Sequence, residues 1–322
     1  MSQNQKISVV IPVFNEEESI LPIYSKIVNE LDDFDIEIIF INDGSTDNTR
    51  QNILNIIQSN NSVLMIDFNR NFGKAAGLSE AFKIAKGDIV VTIDGDLQDD
   101  PSEIKTLISK INLGWDLVSG WKRDRKDPIM KILASRLFNM ITRIKTGIKI
   151  HDFNCGLKAY KRNVIKTIKI YGHLHRFIPV LAHFEGFKVT EVKVNHFERE
   201  FGYSKYGKSR FFHGFYDFLT IVFLEKYLNR PMHFFGRFGL IFCLSGFLIN
   251  LYLAIQWIYF RVSPEDFNVD KYTIIRPLFF LGILLIVVGI QFFSTGFIGE
   301  MIVRKTERSS PGSMRIISKE AD

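Results

Sequence analysis

Cysteine is almost missing from this chain: Cys155 and Cys243 are the only two among 322 residues. A disulfide framework is therefore excluded, and a reducing compartment is expected. No G-x-G-x-x-G follows the first apolar run, which removes a dinucleotide cofactor, and "FGKAAG" lacks the spacing of a P-loop, which removes a simple ATPase. His151, His173, His175, His183 and His196 match no zinc spacing, and no cysteine pair assists them. A large excess of one charge is also lacking. The net charge is +6, and no nucleic-acid partner is expected. No apolar leader precedes the first strand, so about the first 230 residues are expected to stay cytoplasmic.

What the sequence does contain is unevenly spread. From Phe238 to Phe260, and again from Pro277 to Gly299, no Asp, Glu, Lys or Arg occurs. Roughly 20 helical residues cross a hydrocarbon core of about 30 Å, so each stretch is long enough for a membrane span. The link between them, "RVSPEDFNVDKYTIIR", is balanced in charge, whereas Arg230, Arg237, Arg304, Lys305 and Arg308 flank the pair. The positive-inside tendency then places both termini in the cytoplasm and the link outside. Nine basic residues between Lys122 and Lys149 are opposed only by Asp124 and Asp127, a signal for an anionic surface or ligand.

Strand-like and helix-like patterns alternate in the first half. "ISVVIPVF", "IEIIFIND", "SVLMIDF", "DIVVTID" and "DLVSG" read as strands, separated by helices near residues 16–31, 46–57, 75–85 and 101–111. Such βαβ units build a largely parallel sheet covered on both faces, a Rossmann-like α/β fold. From Ile129 to Ile144 apolar residues recur on one helical face, and Arg136 and Arg143, seven apart, share another. A basic amphipathic helix of this kind suits a membrane surface, and a core-packing helix with solvated arginines fits the same pattern. The aromatic-rich stretch before the first span reads as a second interfacial helix, and the tail after Arg304 as disordered.

One stretch, "VTIDGDLQDDP" from Val91 to Pro101, crowds Asp94, Asp96, Asp99 and Asp100 after a buried-strand pattern. Like charges so close are costly unless a cation sits among them. Asp94 and Asp96, with Gly95 between them, offer hard oxygen ligands suited to Mg²⁺ or Mn²⁺. Asp43 ends the second strand, where its carboxylate can accept hydrogen bonds from a nucleobase edge, and Ser45 or Asp47 can cap the next helix.

Taken in order, "VVIPVFNEEESI", "FINDGSTDNT" and "VTIDGDLQDDP" resemble three motifs of the family 2 inverting glycosyltransferases, which have the GT-A fold. The resemblance implies a nucleoside diphosphate sugar donor, with Pro12, Phe14, Asn15, Glu16, Ile41 and Asp43 lining the nucleoside pocket. It also implies Asp94 and Asp96 as metal ligands, with Gln98 in the third position. "SGWKRDRKDP", "ASRLFN", "HDFNCGLKAYKR", "LHRFIPVLA" and "HFEREFGYSKYGKSRF", followed by two spans, are similar to the polyprenyl-phosphate glycosyltransferases, relatives of dolichol-phosphate mannose synthase.

By that likeness Ser135, Arg136 and either Lys122 or Arg123 hold the acceptor phosphate. Arg199, Gly202, Ser204 and Lys205 form a loop that closes over the donor, and Asp152 positions substrate. Asp96, Arg199, Lys205 and Asp152 are then the candidate catalytic residues. The Q-x-x-R-W motif of processive synthases is absent. The implied organisation is a cytoplasmic GT-A catalytic domain over 1–210, an interfacial helix over 211–233, two transmembrane helices within 234–303 (about 236–260 and 277–301), and a cytoplasmic tail over 304–322. The expected activity is inverting transfer of one hexose, first glucose from UDP-glucose and second mannose from GDP-mannose, to undecaprenyl or another polyprenyl phosphate. The alternative from another class is a non-catalytic membrane module that binds sugar nucleotides. The setting is the inner membrane, and homo-oligomerisation is implied by the relatives alone.

Overall fold

The computed structural model describes residues 5–123, 129–168, 170, 174–198, 227, 230–262 and 269–309. The chain divides into two units, Met1–Phe218 and Leu219–Asp322. The first is a three-layer α/β unit around a seven-stranded sheet. Its strands are β1 (Lys6–Val13), β2 (Asp35–Asn42), β3 (Val63–Asp67), β4 (Ile89–Thr92), β5 (Leu117–Trp121), β6 (Lys158–Lys161) and β7 (Val189–Lys193). The helices are α1 (Ile20–Glu30), α2 (Thr49–Ser59), α3 (Lys74–Ile84), α4 (Glu103–Asn112), α5 (Ile129–Thr146), α6 (Arg162–Thr167) and α7 (Ile178–Phe184), with a 3-10 turn at Leu174–Phe177.

The sheet order is β3-β2-β1-β4-β6-β5-β7. Parallel pairing joins β1 to β2 and β4, β2 to β3, and β5 to β7, while β6 runs antiparallel between β4 and β5. β1 is buried along nearly its full length, as its apolar run "ISVVIPV" requires of a central strand covered on both faces. One core layer gathers Ile20, Ile23 and Ile27 of α1 with Ile104, Leu107 and Ile108 of α4. The opposite layer gathers Leu78, Ala81 and Phe82 of α3 with Tyr160 of β6 and Ile178 of α7. Each such side chain contributes roughly 1.5–3 kcal/mol by leaving water.

The chain winds outward from β1 through β2 to β3, then returns to place β4 on the other side of β1. That reversal is a topological switch point, where the loops leaving the carboxyl ends of adjacent strands diverge and open a crevice. The loops after β1, β2 and β4 meet there.

The second unit holds α8 (Pro231–Val262) and α9 (Val269–Ser309), which pack against each other. Within them 29 and 26 residues are long and apolar enough to cross a membrane, about 43 and 39 Å at 1.5 Å per residue. Leu244, Phe247, Leu248, Leu284 and Ile290 are among many large apolar side chains exposed on these helices. A Cβ on Gly246 would lie 2.4 Å from the carbonyl oxygen of Gly282, so the two backbones approach where neither residue has a side chain. Two details differ from the sequence reading. α9 starts at Val269 and runs through Pro277, and it continues past Arg304 to Ser309, where a disordered tail was expected. The helical registers of the polar flanks simply extend the apolar segment. Most of the anticipated interfacial helix, 211–226 and 228–229, lies outside the described residues.

Candidate functional site

The loops after β1 and β2 are laced together. The Asn15 and Glu16 amides donate to Ser45 Oγ (2.9 Å) and Thr49 Oγ1 (2.8 Å), and Thr46 N donates to Asn15 Oδ1 (2.8 Å). Asn48 N donates to a Glu17 carboxylate oxygen at 2.8 Å. Asn15 adopts a left-handed conformation (φ 52°), tolerable for an asparagine, which turns the β1 loop toward that of β2. Asp43 is buried and receives Phe72 N (2.7 Å) and Gly73 N (3.0 Å), so it organises the loop that leads into α3. Burial raises its pKa, and those two backbone bonds offset part of the rise. Pro12, Phe14 and Glu16 are half-buried around this floor. Ile41 instead lies under α3 at 1% exposure, where a Cβ on Gly77 would meet its Cγ2 at 2.6 Å. Its side chain supports the crevice from below.

The acidic turn follows β4. A Cβ on Gly95 would stand 2.5 Å from Val13 Cγ1, so only glycine lets this turn press against β1. Leu97, buried and left-handed at φ 60°, reverses the chain inside the turn at a cost on the order of 1 kcal/mol. Its outer side is pinned by the segment after β7. Asp99 bridges His196, Phe197 N donates to Gln98 O (2.9 Å), and Asn195 binds Glu103.

Much of the turn's negative charge is matched by lysines from other elements. Asp94 pairs with Lys74 at the start of α3. Burial alone would raise its pKa, but Lys74, Lys122 and Lys158 together hold the carboxyl well below the usual range. Asp99 pairs with Lys122 at 2.6 Å. Burial disfavours the Lys122 ammonium, yet Asp99, Cys155 and Asp94 together outweigh that and raise its pKa. Asp100 Oδ1 accepts Ser102 N at 3.0 Å, a local turn bond.

The repulsion that sequence reasoning assigned to a missing dication is thus relieved in large part by the protein itself. Asp94 and Asp96 nonetheless fit a hard divalent cation in their chemistry: two carboxylates and the Gln98 amide supply oxygen donors. A Cβ on Gly156 would fall 2.3 Å from Asp94 Oδ2, so a glycine cradle is what gives that carboxylate its place.

Two cavities flank the short segment from Asp152 to Asn154. The first, about 80 Å³, lies beside Asp94 and is lined by Lys74, Thr92, Asn154, Lys158, His175 and Arg176, among others. Lys158 is buried and donates to the Cys155 carbonyl. Burial lowers the Lys158 pKa. It also lowers that of His175, assisted by Lys74 and Arg176, so this imidazole is neutral. Cys155, beside them, is pushed up to about 12, first by burial and then by Asp99.

The second cavity, about 330 Å³, is lined by Trp121, Lys122, Arg123, Ser135, Asn139, Arg143, His151 and Asp152 with two apolar residues. His151 stacks on Trp121 (centroids 4.4 Å apart) and pairs with Glu191, making one wall. Asp152 is buried and accepts Asn154 N at 3.0 Å.

Of the residues expected to hold an acceptor phosphate, Ser135 and both Lys122 and Arg123 line this second cavity. Lys122 is already committed to Asp99, whereas Arg123 is exposed. Arg136 sits on α5, but its side chain lies outside the described residues, as do Arg199, Gly202, Ser204 and Lys205 altogether. The sequence reading missed Lys74, Lys158, Arg176 and Asn139 as site residues. A lysine inside the apolar "LKAY" strand was the one available signal.

Comparison with known proteins agrees with this architecture. Residues 8–169 match the model of Glycosyl transferase family 2. The chain is 34% identical over 322 residues to the dodecaprenyl-phosphate galacturonate synthase of Rhizobium johnstonii, covering 98% of this chain and 93% of that protein. It is 33% identical over 311 residues to the undecaprenyl-phosphate 4-deoxy-4-formamido-L-arabinose transferase of Yersinia enterocolitica, covering 94% and 91%. Among solved structures, glucosyl-3-phosphoglycerate synthase from Mycobacterium tuberculosis, in complex with Mn²⁺, UDP-glucose and phosphoglyceric acid, matches with a TM-score of 0.54. That match has 20% identity and covers 69% of this chain and 79% of the other, a likeness of fold.

Proposed function

Because this chain belongs to glycosyl transferase family 2, we propose that it moves a single hexose-type sugar, with inversion, from a nucleoside diphosphate to a polyprenyl phosphate at a membrane. The observation that carries the reading is the pair of cation-rich cavities on either side of Asp152–Asn154, one beside the acidic turn and one beside α5. Two anionic substrates can then meet across that segment. The polyprenyl-phosphate activities named for both relatives support the acceptor. Those relatives differ in sugar, so they do not select between the glucose and mannose expected from sequence.

In this reading the laced loops after β1 and β2 bind the nucleoside through Pro12, Phe14, Asn15, Glu16 and Asp43. Asp94, Asp96 and Gln98 would hold Mg²⁺ or Mn²⁺, whose chemistry when bound is to stabilise negative charge on the leaving diphosphate. Arg123, Ser135 and Arg143 orient the acceptor phosphate, with Arg136 on the same helix, and Asp152 fixes the segment between the two substrates. Arg199 and Lys205 are assigned to the donor phosphates. An acceptor phosphate oxygen attacks the anomeric carbon as the bond to the β-phosphate oxygen breaks. Its second pKa is near 6, so the dianion needs no base, and the charge it loses appears on the released nucleoside diphosphate.

What the protein supplies is alignment and cationic surroundings. The catalytic domain is assigned to 1–210, an interfacial helix to 211–233, two spans to 234–303 and a tail to 304–322, with the catalytic domain on the cytoplasmic side of the cell membrane. The two long apolar helices support attachment to a membrane. The test is to incubate the full-length protein with Mg²⁺, undecaprenyl phosphate and a panel of nucleotide sugars, and to weigh the lipid product. One sugar per lipid is expected. A growing polymer, or no lipid-linked sugar from any donor, would sink the proposal.

A further inference from the structure

The helix α9 has a seven-residue rhythm on two opposite faces, and among the described residues one of the two is covered. On the covered face Gly282, Gly289 and Gly296 stand seven apart. A Cβ on Gly289 would lie 2.7 Å from the Gly239 carbonyl oxygen, and one on Gly296 would lie 2.8 Å from Met232 Sδ, so α8 presses in along this line. Asn250 of α8 is turned into the same line, where a Cβ on Gly282 would meet its side-chain amide at 2.5 Å.

On the other face Leu284, Val287, Gln291, Ser294, Ile298 and Met301 follow one another at alternating steps of three and four, and all six are exposed. That spacing is the seam of a coiled coil. At about 100° per residue, Gln291 is turned about 160° away from Gly289 and hence from α8.

Lipid alone would suit an apolar seam, and this one is interrupted in its middle. Gln291 lies about 21 Å along the helix from Pro277 and about 17 Å from Ile302, the two ends of the apolar segment. The hydrocarbon extends about 15 Å to either side of the bilayer centre, so the Gln291 amide stands near that centre, out of reach of water and of lipid head groups. Thr295 settles its own hydroxyl on the Gln291 carbonyl at 2.9 Å. Among the described residues the Gln291 side-chain amide has no hydrogen-bond partner. An amide left unpaired in hydrocarbon is costly, and at that depth only another polypeptide offers groups to pair with it.

We propose that this face of α9 docks a second copy of the chain, with the two Gln291 amides paired across a two-fold axis. Copies inserted in the same direction run parallel, and a two-fold axis between parallel helices sets each residue against its own counterpart. A glutamine amide both donates and accepts, so two of them are complementary. Ser294, one turn on, is small enough for the two backbones to approach. A single polar position in an apolar seam also fixes the register of the pair. The inference rests on the membrane placement proposed above and not on the sugar transferred.

The experiment reconstitutes the full-length protein, with donor and acceptor fluorophores on amino-terminal tags, in phosphatidylglycerol–phosphatidylcholine vesicles over a series of protein-to-lipid ratios. Energy transfer then gives a dissociation constant. Gln291→Leu is expected to raise it about 3- to 30-fold, the range of interhelical hydrogen bonds in membranes. Gln291→Asn should recover part of the loss, and Leu248→Ala, on the exposed side of α8, should change nothing. Independently, Ser294→Cys should form a disulfide-linked dimer in native membranes under a membrane-permeant oxidant, whereas Leu248→Cys should not. The unsubstituted chain, with Cys155 buried and Cys243 against α9, gives the background.

A monomer at every ratio, an unchanged dissociation constant in Gln291→Leu, or equal cross-linking at positions 294 and 248 would overturn the inference. Cross-linking of position 294 to a different membrane protein would assign the face to that partner and overturn it as well. A monomer that still makes lipid-linked sugar removes the interface and leaves the transferase standing, whereas a dimer that makes none supports the interface and removes the transferase. Release from membranes by alkaline carbonate would remove the membrane placement and the interface together.

Discussion

Replacing Lys122 with methionine separates a structural lysine from a substrate-binding one. The Lys122 side chain is 11% exposed and its partner Asp99 is fully buried, with 2.6 Å between the charged atoms. Removing the ammonium leaves a carboxylate buried without its counter-ion, which costs about 3–5 kcal/mol. For a unit of this size each kcal/mol moves the midpoint of thermal unfolding by about 2–4 °C, so a fall on the order of 6–20 °C is expected. Trp121, the neighbouring residue, provides the fluorescence signal.

Asp99→Asn should destabilise less, and the double variant should recover most of the loss, because the pair vanishes together. The Lys122 pKa is raised, so the pair's stabilisation is fully present below the ordinary lysine pKa and is lost only as pH climbs above it. The effect should therefore be flat from pH 6 to 9. A shift below 1 kcal/mol, accompanied by a raised KM for polyprenyl phosphate, would refute the assignment and make Lys122 the phosphate ligand.

Other outcomes follow from the same geometry. Asp96→Asn, or chelation of divalent metal, is expected to lower transfer by at least about 100-fold while the unfolding midpoint moves little, as read by lipid-product mass and by fluorescence. Gly156→Ala drives a methyl group to within 2.3 Å of the Asp94 carboxylate, and kcat/KM for the donor should fall at least about 10-fold with under about 2 kcal/mol lost in stability. Cys155, with its pKa pushed up to about 12, should resist iodoacetamide at pH 7.5 in the folded protein and react on unfolding, which mass spectrometry of the alkylated peptide would reveal. Transfer should lose its rate below about pH 6 as the acceptor phosphate gains a proton, and Asp152→Asn should leave that pH limb in place.

The strands from β1 to β5 were legible because each is a short apolar run between helical patterns, and the topology places them as those patterns require. β6 was not, since its "KAYK" is four residues long and begins and ends in lysine. Lys158 opens an interior strand, paired with β4 on one side and β5 on the other, and its buried ammonium donates to the Cys155 carbonyl. The acidic turn was visible in sequence, but the identity of its cations was not. Lys74 and Lys122 reach it through tertiary packing, and nothing in the spacing of "DGDLQDD" points to them. Ile41 illustrates the opposite case: the resemblance put it in the lining of the nucleoside pocket, but which way its side chain faces depends on Gly77 of α3. Arg123 and Lys122 are adjacent in sequence and carry like charge, so only their burial distinguishes them.

The arrangement of lysines has a consequence for the chemistry. Lys74, Lys122 and Lys158 come from the start of α3, the end of β5 and the start of β6, and all three act on Asp94. Their convergence keeps that carboxylate ionised well into acid. Because its folded pKa is depressed, the stability it contributes is present above about pH 4, the unfolded value, and is lost only as pH falls toward the folded one. Asp94 is therefore already anionic throughout the range in which the acceptor phosphate titrates, near pH 6. A loss of transfer between pH 7 and pH 5 then does not come from Asp94. A neutral carboxyl there would have to form its charge and recruit a cation together. Here the fold has separated the two, so that the charge stands ready before either substrate arrives.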